Sequence, residues 1–211
     1  MKKTKFILLT AVALSLSFLM MACGGQSGPV VLKSSQYGDF TYGLNDAGNG
    51  IVITGYKGSG GKLEIPGKIE NIPVIEIGEN AFRGRSGEND DPRPGDGITS
   101  VIIPQGVKII GRGAFSLCRN LTDVTLPDTV EEIREVAFRG CTGLQTANIP
   151  ASLRRMGLSA FYRDGELVNL SIPEGMAALE WQGWNHFSGC GKLSPDIQQR
   201  LRELGYPANF N

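Results

Sequence analysis

The chain has little to do chemistry with. Its 211 residues include a single histidine, His186, and four cysteines with no Cys-x-x-Cys pair. Hydrolytic catalysis needs a nucleophile, a base and an orienting group converging on one pocket. A zinc site needs clustered Cys and His ligands. Neither set is present, so no catalytic residue, no metal and no cofactor is expected. Charge of one sign is missing as well: 21 basic residues face 21 acidic ones. Residues 1–22 hold three lysines and no acid, which leaves 18 basic against 21 acidic residues in the remainder, a net charge of minus three. That balance argues against nucleic acid as a partner. One mostly apolar run exists, Phe6 to Ala22. It is too short and wrongly flanked for a stable transmembrane helix.

What the chain does have is a period. An apolar residue followed by proline recurs every 23 residues at Ile103-Pro104, Leu126-Pro127, Ile149-Pro150 and Ile172-Pro173. Eleven residues after the first three prolines comes Ala-Phe, at Ala114-Phe115, Ala137-Phe138 and Ala160-Phe161. A fixed period in this range predicts a solenoid, in which one unit cannot bury its apolar face alone and neighbours must cover it. Further columns appear when the units are stacked. Val124-Thr-Leu126 and Leu170-Ser-Ile172 alternate with period two and predict a short strand with one buried face. Proline ends that strand, having no N–H to give a ladder. Beyond it, Val107, Val130, Leu153 and Met176 form one inward column, and Ile110, Ile133, Met156 and Leu179 another. In the last unit the alignment that keeps Cys190 and Leu193 in register puts Phe187 in the phenylalanine column.

Both ends read as caps, which a solenoid needs if its terminal faces are not to aggregate. Phe40, Tyr42 and Leu44 alternate, Asn45 to Gly50 is turn-like, and Ile51 to Tyr56 is a second strand, so residues 37–62 predict a β-hairpin. At the other end Ser194 suits an N-cap, Pro195 the first helical position, and Ile197, Leu201 and Leu204 one helical face. The expected architecture is a repeat solenoid over residues 63–193, a stack of short parallel strands with loops and short helical turns, closed by a helical cap over 194–211. Between Pro66 and Pro104 the unit carries 15 extra residues, five before Ala81-Phe82 and ten after it. The polar stretch Arg83 to Gly97 is expected as an exposed loop.

The string Ile/Leu-Pro-x-x-Val-x-x-Ile-x-x-x-Ala-Phe-x-x-Cys-x-x-Leu, as in Leu126 to Leu144, resembles the BspA-like leucine-rich repeats of bacterial surface proteins. The resemblance covers about residues 39–193. It implies export, frequent lipid anchoring and binding of host or matrix proteins, with no catalytic motif inherited. The first residues agree. Lys2, Lys3 and Lys5 precede the apolar run, and Met20-Met21-Ala22-Cys23 resembles a lipobox whose cysteine is acylated. Residues 1–22 are thus read as a lipoprotein signal peptide, Cys23 as the lipid attachment point, and 23–36 as a flexible tether. The expected location is the bacterial cell envelope, at the outer membrane, with the membrane reached through Cys23.

The cysteine column, Cys118, Cys141 and Cys190, reads as buried thiols, with a Cys118–Cys141 disulfide the competing arrangement. Asp164 holds the equivalent place in the remaining unit. His186 is read as a partly exposed residue in a capping loop. Trp181 and Trp184 form a candidate aromatic anchor, with packing against the C-terminal helix as the other reading. The candidate protein-binding strip is one outward position per rung, Ile102, Thr125, Asn148 and Ser171, flanked by Thr99, Thr122, Gln145 and Val168. Lys108, Glu131, Arg154, Glu132 and Arg155 are expected to form exposed pairs between rungs. The function expected is a lipid-anchored adhesin-like module that binds a host, matrix or envelope protein. The alternative is a structural scaffold of the envelope or periplasm that self-associates.

Overall fold

A computed structural model describes residues 32, 35–87, 91–176, 179–207 and 210. The expected signal peptide, Cys23 and most of the expected tether lie outside the described residues. The chain then enters through β1 (Gln36–Tyr37), β2 (Phe40–Leu44) and β3 (Ile51–Tyr56), which pair antiparallel as the expected hairpin. Tyr42, Ile51 and Ile53 are its buried contacts to the stack, while Phe40 and Leu44 are half-buried.

Each full unit contributes two strands. The first is the one the proline terminates. It gives β4 (Gly61–Glu64), β7 (Ile98–Ile102), β9 (Asp123–Thr125), β11 (Thr146–Asn148) and β13 (Asn169–Ser171), which form one parallel five-stranded sheet in chain order. The second follows the Pro-x-x-Val turn. In β6 (Ile72–Ile77), β8 (Ile109–Ile110), β10 (Glu132–Ile133), β12 (Arg155–Met156) and β14 (Glu180–Trp181), successive strands again pair parallel, and β6 joins them to β3. Ile110, Ile133 and Met156 form the expected inward column and are buried, but in the last rung Trp181, not Leu179, pairs with Met156, and Leu179 is buried two residues earlier. The column's two-residue strands are too short for a period-two pattern, which is why the sequence shows the column but not the second sheet. The extra residues before Ala81 are a small hairpin, β5 (Lys68–Ile69) against β6, turning on Glu70 and Asn71 at positive φ.

The third side of each coil carries the Ala-Phe pair. Phe82, Phe115, Phe138, Phe161 and Phe187 are fully buried and stack face to face, with centroids 5.0, 5.4, 5.0 and 5.3 Å apart and planes within 11°. Backbone bonds run alongside, from Phe115 N to Ala137 O and from Phe138 N to Ala160 O, both 2.8 Å. Single i→i+3 turns, such as Cys118 N to Phe115 O, return the chain to the first sheet. A column of left-handed residues makes the corner: Asn80, Gly113, Val136, Ser159 and Asn185 all have φ between 51° and 61°. Asparagine and glycine tolerate that region, but Val136 does so at the cost of β-branched strain.

Cys118, Cys141 and Cys190 are buried and free. Each thiol donates to the phenylalanine carbonyl one rung back, Cys118 to Phe82 O at 3.0 Å, Cys141 to Phe115 O at 3.1 Å and Cys190 to Phe161 O at 3.1 Å. Burial pushes the Cys141 and Cys190 thiols well up, so they are held as donors rather than thiolates.

Helix α1 (Pro195–Glu203) closes the far end. Ser194 Oγ accepts from Ile197 N at 3.3 Å, Pro195 starts the first turn, and Leu201 and Leu204 are buried with Ile197 packed beside them. One expectation needs correction. His186 is fully buried: it takes the alanine slot of the last rung, where the cap accommodates a ring between Trp181 at 5.1 Å and Tyr206 at 5.9 Å. Between Arg83 and Gly97 the described residues Ser86, Gly87 and Asp91 to Arg93 are exposed as expected, and both ends are anchored. Asp96 accepts from Arg85 N at 2.8 Å and Arg93 N at 2.9 Å, and Gly84 and Gly95 are buried where backbone crosses backbone.

Candidate protein-binding face

The outer face of the five-stranded sheet is set by strand alternation. Val101, Val124, Ala147 and Leu170 point inward and are buried, so the residues on either side of each point out. Two stacked rows result. One is Ile102, Thr125, Asn148 and Ser171, as the sequence indicates; Ile102 is 42% exposed. The other is Ser100, Asp123, Thr146 and Asn169, placed in register by the parallel ladder. The flanking residues read from sequence, Thr99, Thr122, Gln145 and Val168, sit one step earlier, at the strand entry. The i, i+2 rule applied from Thr125 back to Asp123 would have found the true second row.

Several of these side chains are already engaged. Asn148 Oδ1 accepts from Leu126 N and its Nδ2 donates to Leu126 O, each at 2.8 Å, so this amide replaces a rung-to-rung backbone pair. The neighbouring rungs use backbone there, from Ile103 N to Thr125 O and from Ile149 N to Ser171 O. Thr122 Oγ1 donates to Thr99 O at 2.9 Å. Thr125 and Ser171, by contrast, are exposed and lie on either side of Asn148. The face ends at a cleft of about 480 Å³ between β13 and α1, lined by Thr146, Val168, Asn169, Ser171, Ser194 and Ile197 among others. It mixes four apolar residues, Ala147, Val168, Leu170 and Ile197, with hydroxyls and an amide, a lining suited to peptide rather than to a charged ligand.

The remaining candidates separate. Trp181 donates from Nε1 to Leu204 O at 2.8 Å and packs on Phe187 and Tyr206, so it belongs to the cap. Trp184 is 65% exposed. His186 Nδ1 lies 2.8 Å from Gly157 O, and burial holds its pKa below the usual value. With no exposed surface it meets no substrate. Two of the expected charge pairs form, beside the other sheet, with Lys108 Nζ 3.7 Å from Glu131 and Arg155 3.2 Å from Glu132, while Arg154 makes no ion pair among the described residues. Arg134 adds a bridge from Glu76 at 3.0 Å to Glu132 at 3.4 Å. All involve exposed arginine or lysine and serve register at up to about 1 kcal/mol each. No group of three metal-capable side chains occurs among the described residues.

The coil geometry, two short parallel strands and a phenylalanine corner per turn, has counterparts among known proteins. A model of the BspA type leucine rich repeat region matches in six copies over residues 95–210. The chain belongs to this family. Among solved structures of leucine-rich repeat proteins, one from T. pallidum is 26% identical, with 84% of this chain and 99% of that one covered and a TM-score of 0.58. Another, from Bacteroides ovatus, is 25% identical over 75% of this chain and 45% of that one, with a TM-score of 0.55. A third, from Bacteroides capillosus, is 28% identical over 65% of this chain and 96% of that one, TM-score 0.52. No curated protein matches. As a BspA-type repeat protein the chain is a scaffold whose side chains, not its fold, determine what it meets.

Proposed function

We propose that this BspA-type protein is exported, anchored in the cell envelope through acylated Cys23, and uses the outer face of its five-stranded sheet to bind another protein. The observation that carries the reading is the face itself: two rows across four rungs, polar except for Ile102 at one end, running into a cleft beside α1. Such extended repeat surfaces suit protein partners. A host or matrix component is the partner class the family resemblance favours, and an envelope protein is the alternative.

The test is capture from extracellular-matrix extract and from envelope extract with the full-length protein, beside a Thr125→Arg/Ser171→Arg variant. Both positions are exposed, and the substitutions leave the Asn148 bridge intact, so the variant should fold with unchanged circular dichroism. It should lose the captured protein by tenfold or more, since two unpaired charges are set into the contact (roughly 1.4 kcal/mol per tenfold). Undiminished capture would remove this face from the reading.

Anchoring has its own test. Cells fed a clickable fatty acid should label the wild-type protein and not Cys23→Ala. Label retained in the variant would exclude acylation at Cys23.

A further inference from the structure

The phenylalanine side of the stack carries a basic ridge on its outer turns. Arg139 and Arg163 both lie against the ring of Tyr162, with their guanidinium carbons 5.7 and 5.2 Å from its centroid. A Cβ added to Gly189 on the next rung would stand 3.1 Å from Arg163 Cα and 3.5 Å from its Cγ, so Arg163 covers that glycine. Gly189 N in turn donates to Phe210 O at 3.0 Å, and Arg202 lies 5.3 Å above the Phe210 ring. Arg139, Tyr162, Arg163, Gly189, Phe210 and Arg202 therefore form one continuous path over three levels of the stack.

The charges on this path are unmatched. Arg139, Arg163 and Arg202 are exposed, and among the described residues none forms an ion pair, in contrast to Lys192 alongside, which pairs with Glu166. The residue between them in chain and column, Asp164, is fully buried and does not reach the surface. Upstream on the same side Arg119 differs: it donates to Arg85 O and Ser86 O and shares the neighbourhood of Asp96. Arg83, which follows Phe82 as Arg139 follows Phe138, is also without an ion pair among the described residues but donates to Ser86 Oγ, so the unmatched cations that lie over rings are those of the last three levels, in a chain whose residues 23–211 are net negative.

Stacking on tyrosine fixes a guanidinium plane and leaves its edge N–H groups free, so less side-chain entropy is lost when they meet a carboxylate. Adjacent rungs are about 5 Å apart and alternate residues of an extended strand about 7 Å apart, a difference of about 2 Å per level that the long arginine and glutamate side chains can take up. Such fork-to-carboxylate contacts are strong for their size. We infer that the ridge of Arg139, Tyr162, Arg163 and Arg202 is a second binding surface, and that its partner is an extended acidic segment of a protein. It lies on a different side of the stack from the five-stranded sheet and does not depend on that face.

A fluorescein-labelled ten-residue peptide of alternating Glu and Ser, titrated with the full-length protein by fluorescence anisotropy, tests this. Wild type should bind with an affinity that falls as salt is raised. Arg139→Ala/Arg163→Ala should bind at least about tenfold more weakly, as expected for two partly exposed charge-assisted contacts. Lys57→Ala/Arg154→Ala, which removes the same charge elsewhere, should bind as wild type does. Tyr162→Phe should keep the affinity and Tyr162→Ala should lose it. The Thr125→Arg/Ser171→Arg variant should bind the peptide normally, so failure here leaves the sheet-face reading intact, and the reverse holds too. Equal weakening in both double-alanine variants would overturn the proposal, because it would show general electrostatics. Binding of a sulfated polysaccharide or of anionic vesicles without binding of the peptide would overturn it as well.

Discussion

Replacing Phe138 by alanine should lower folding stability by about 3–5 kcal/mol, the range for deleting a buried aromatic ring. The position is fully buried and central, with Phe115 stacked 5.4 Å away on one side and Phe161 5.0 Å away on the other. Removing the ring therefore weakens two rung interfaces at once, and a repeat protein's stability is close to a sum of such neighbour terms. Alanine also leaves a cavity that rigid rungs on both sides, pinned by backbone bonds at Phe115 and Phe138, cannot close. Phe138→Leu, which keeps most of the volume, should cost markedly less. Urea denaturation followed by circular dichroism measures both. A loss under about 1 kcal/mol for the alanine variant would mean that the phenylalanine ladder does not hold the rungs together.

The second large effect is at Asp164. It occupies the thiol column, is fully buried, and neither carboxylate oxygen has a hydrogen-bond partner. Burial pushes its pKa well above the usual carboxylate range; the backbone amides of Cys141 and Gly140 offset part of this without hydrogen-bond geometry, and Cys118 adds to it. The ionisable groups of the same column are Cys118, Cys141 and Cys190, so no cation faces it there. The sign follows from linkage. The folded state keeps the proton at pH values where the unfolded chain has released it, so stability falls as pH rises above the unfolded value of about 3.9 and continues to fall until the folded pKa is reached. One such group contributes a slope of up to about 1.4 kcal/mol per pH unit. A protonated Asp164 would stand to Phe138 O as Cys118, Cys141 and Cys190 stand to the carbonyls they meet. Asp164→Cys supplies a donor that stays protonated at neutral pH. It should be more stable than wild type at pH 7, with the difference shrinking towards pH 4. Asp164→Asn, with an N–H donor, should move the same way. Parallel urea titrations from pH 4 to 8 give the comparison, and curves for wild type and Asp164→Cys that run parallel across that range would contradict it.

Asp164 also shows what a sequence column does and does not reveal. Its membership of the cysteine column is plain from the spacing, but the column's job, donation to a carbonyl one rung back, needs coordinates. The phenylalanine register, the hairpin and the helical cap are legible because each rests on several residues repeating one pattern. The second sheet is hidden because two-residue strands carry no alternation. Asn148 and Ser171 look equivalent in sequence, yet only Asn148 clamps the backbone of Leu126. His186 precedes Phe187 as Ala137 precedes Phe138, so its slot could be read; its burial could not, because that depends on Trp181 and Tyr206 arriving from the cap. The tryptophans divide for the same reason. The basic ridge escapes the sequence because Arg139 and Arg163 are in different positions of their units and meet only through the ring of Tyr162.

The central claim is that the five-stranded sheet, and not the sheet opposite, faces the bound protein. Site-specific photo-crosslinking tests it most directly, with benzoylphenylalanine placed at Thr125 on the first sheet or at Ile109 on the second, in the full-length protein mixed with the captured partner. An adduct should form from Thr125 and none from Ile109. An adduct from Ile109 alone would contradict it and move the binding face to the other side of the coil.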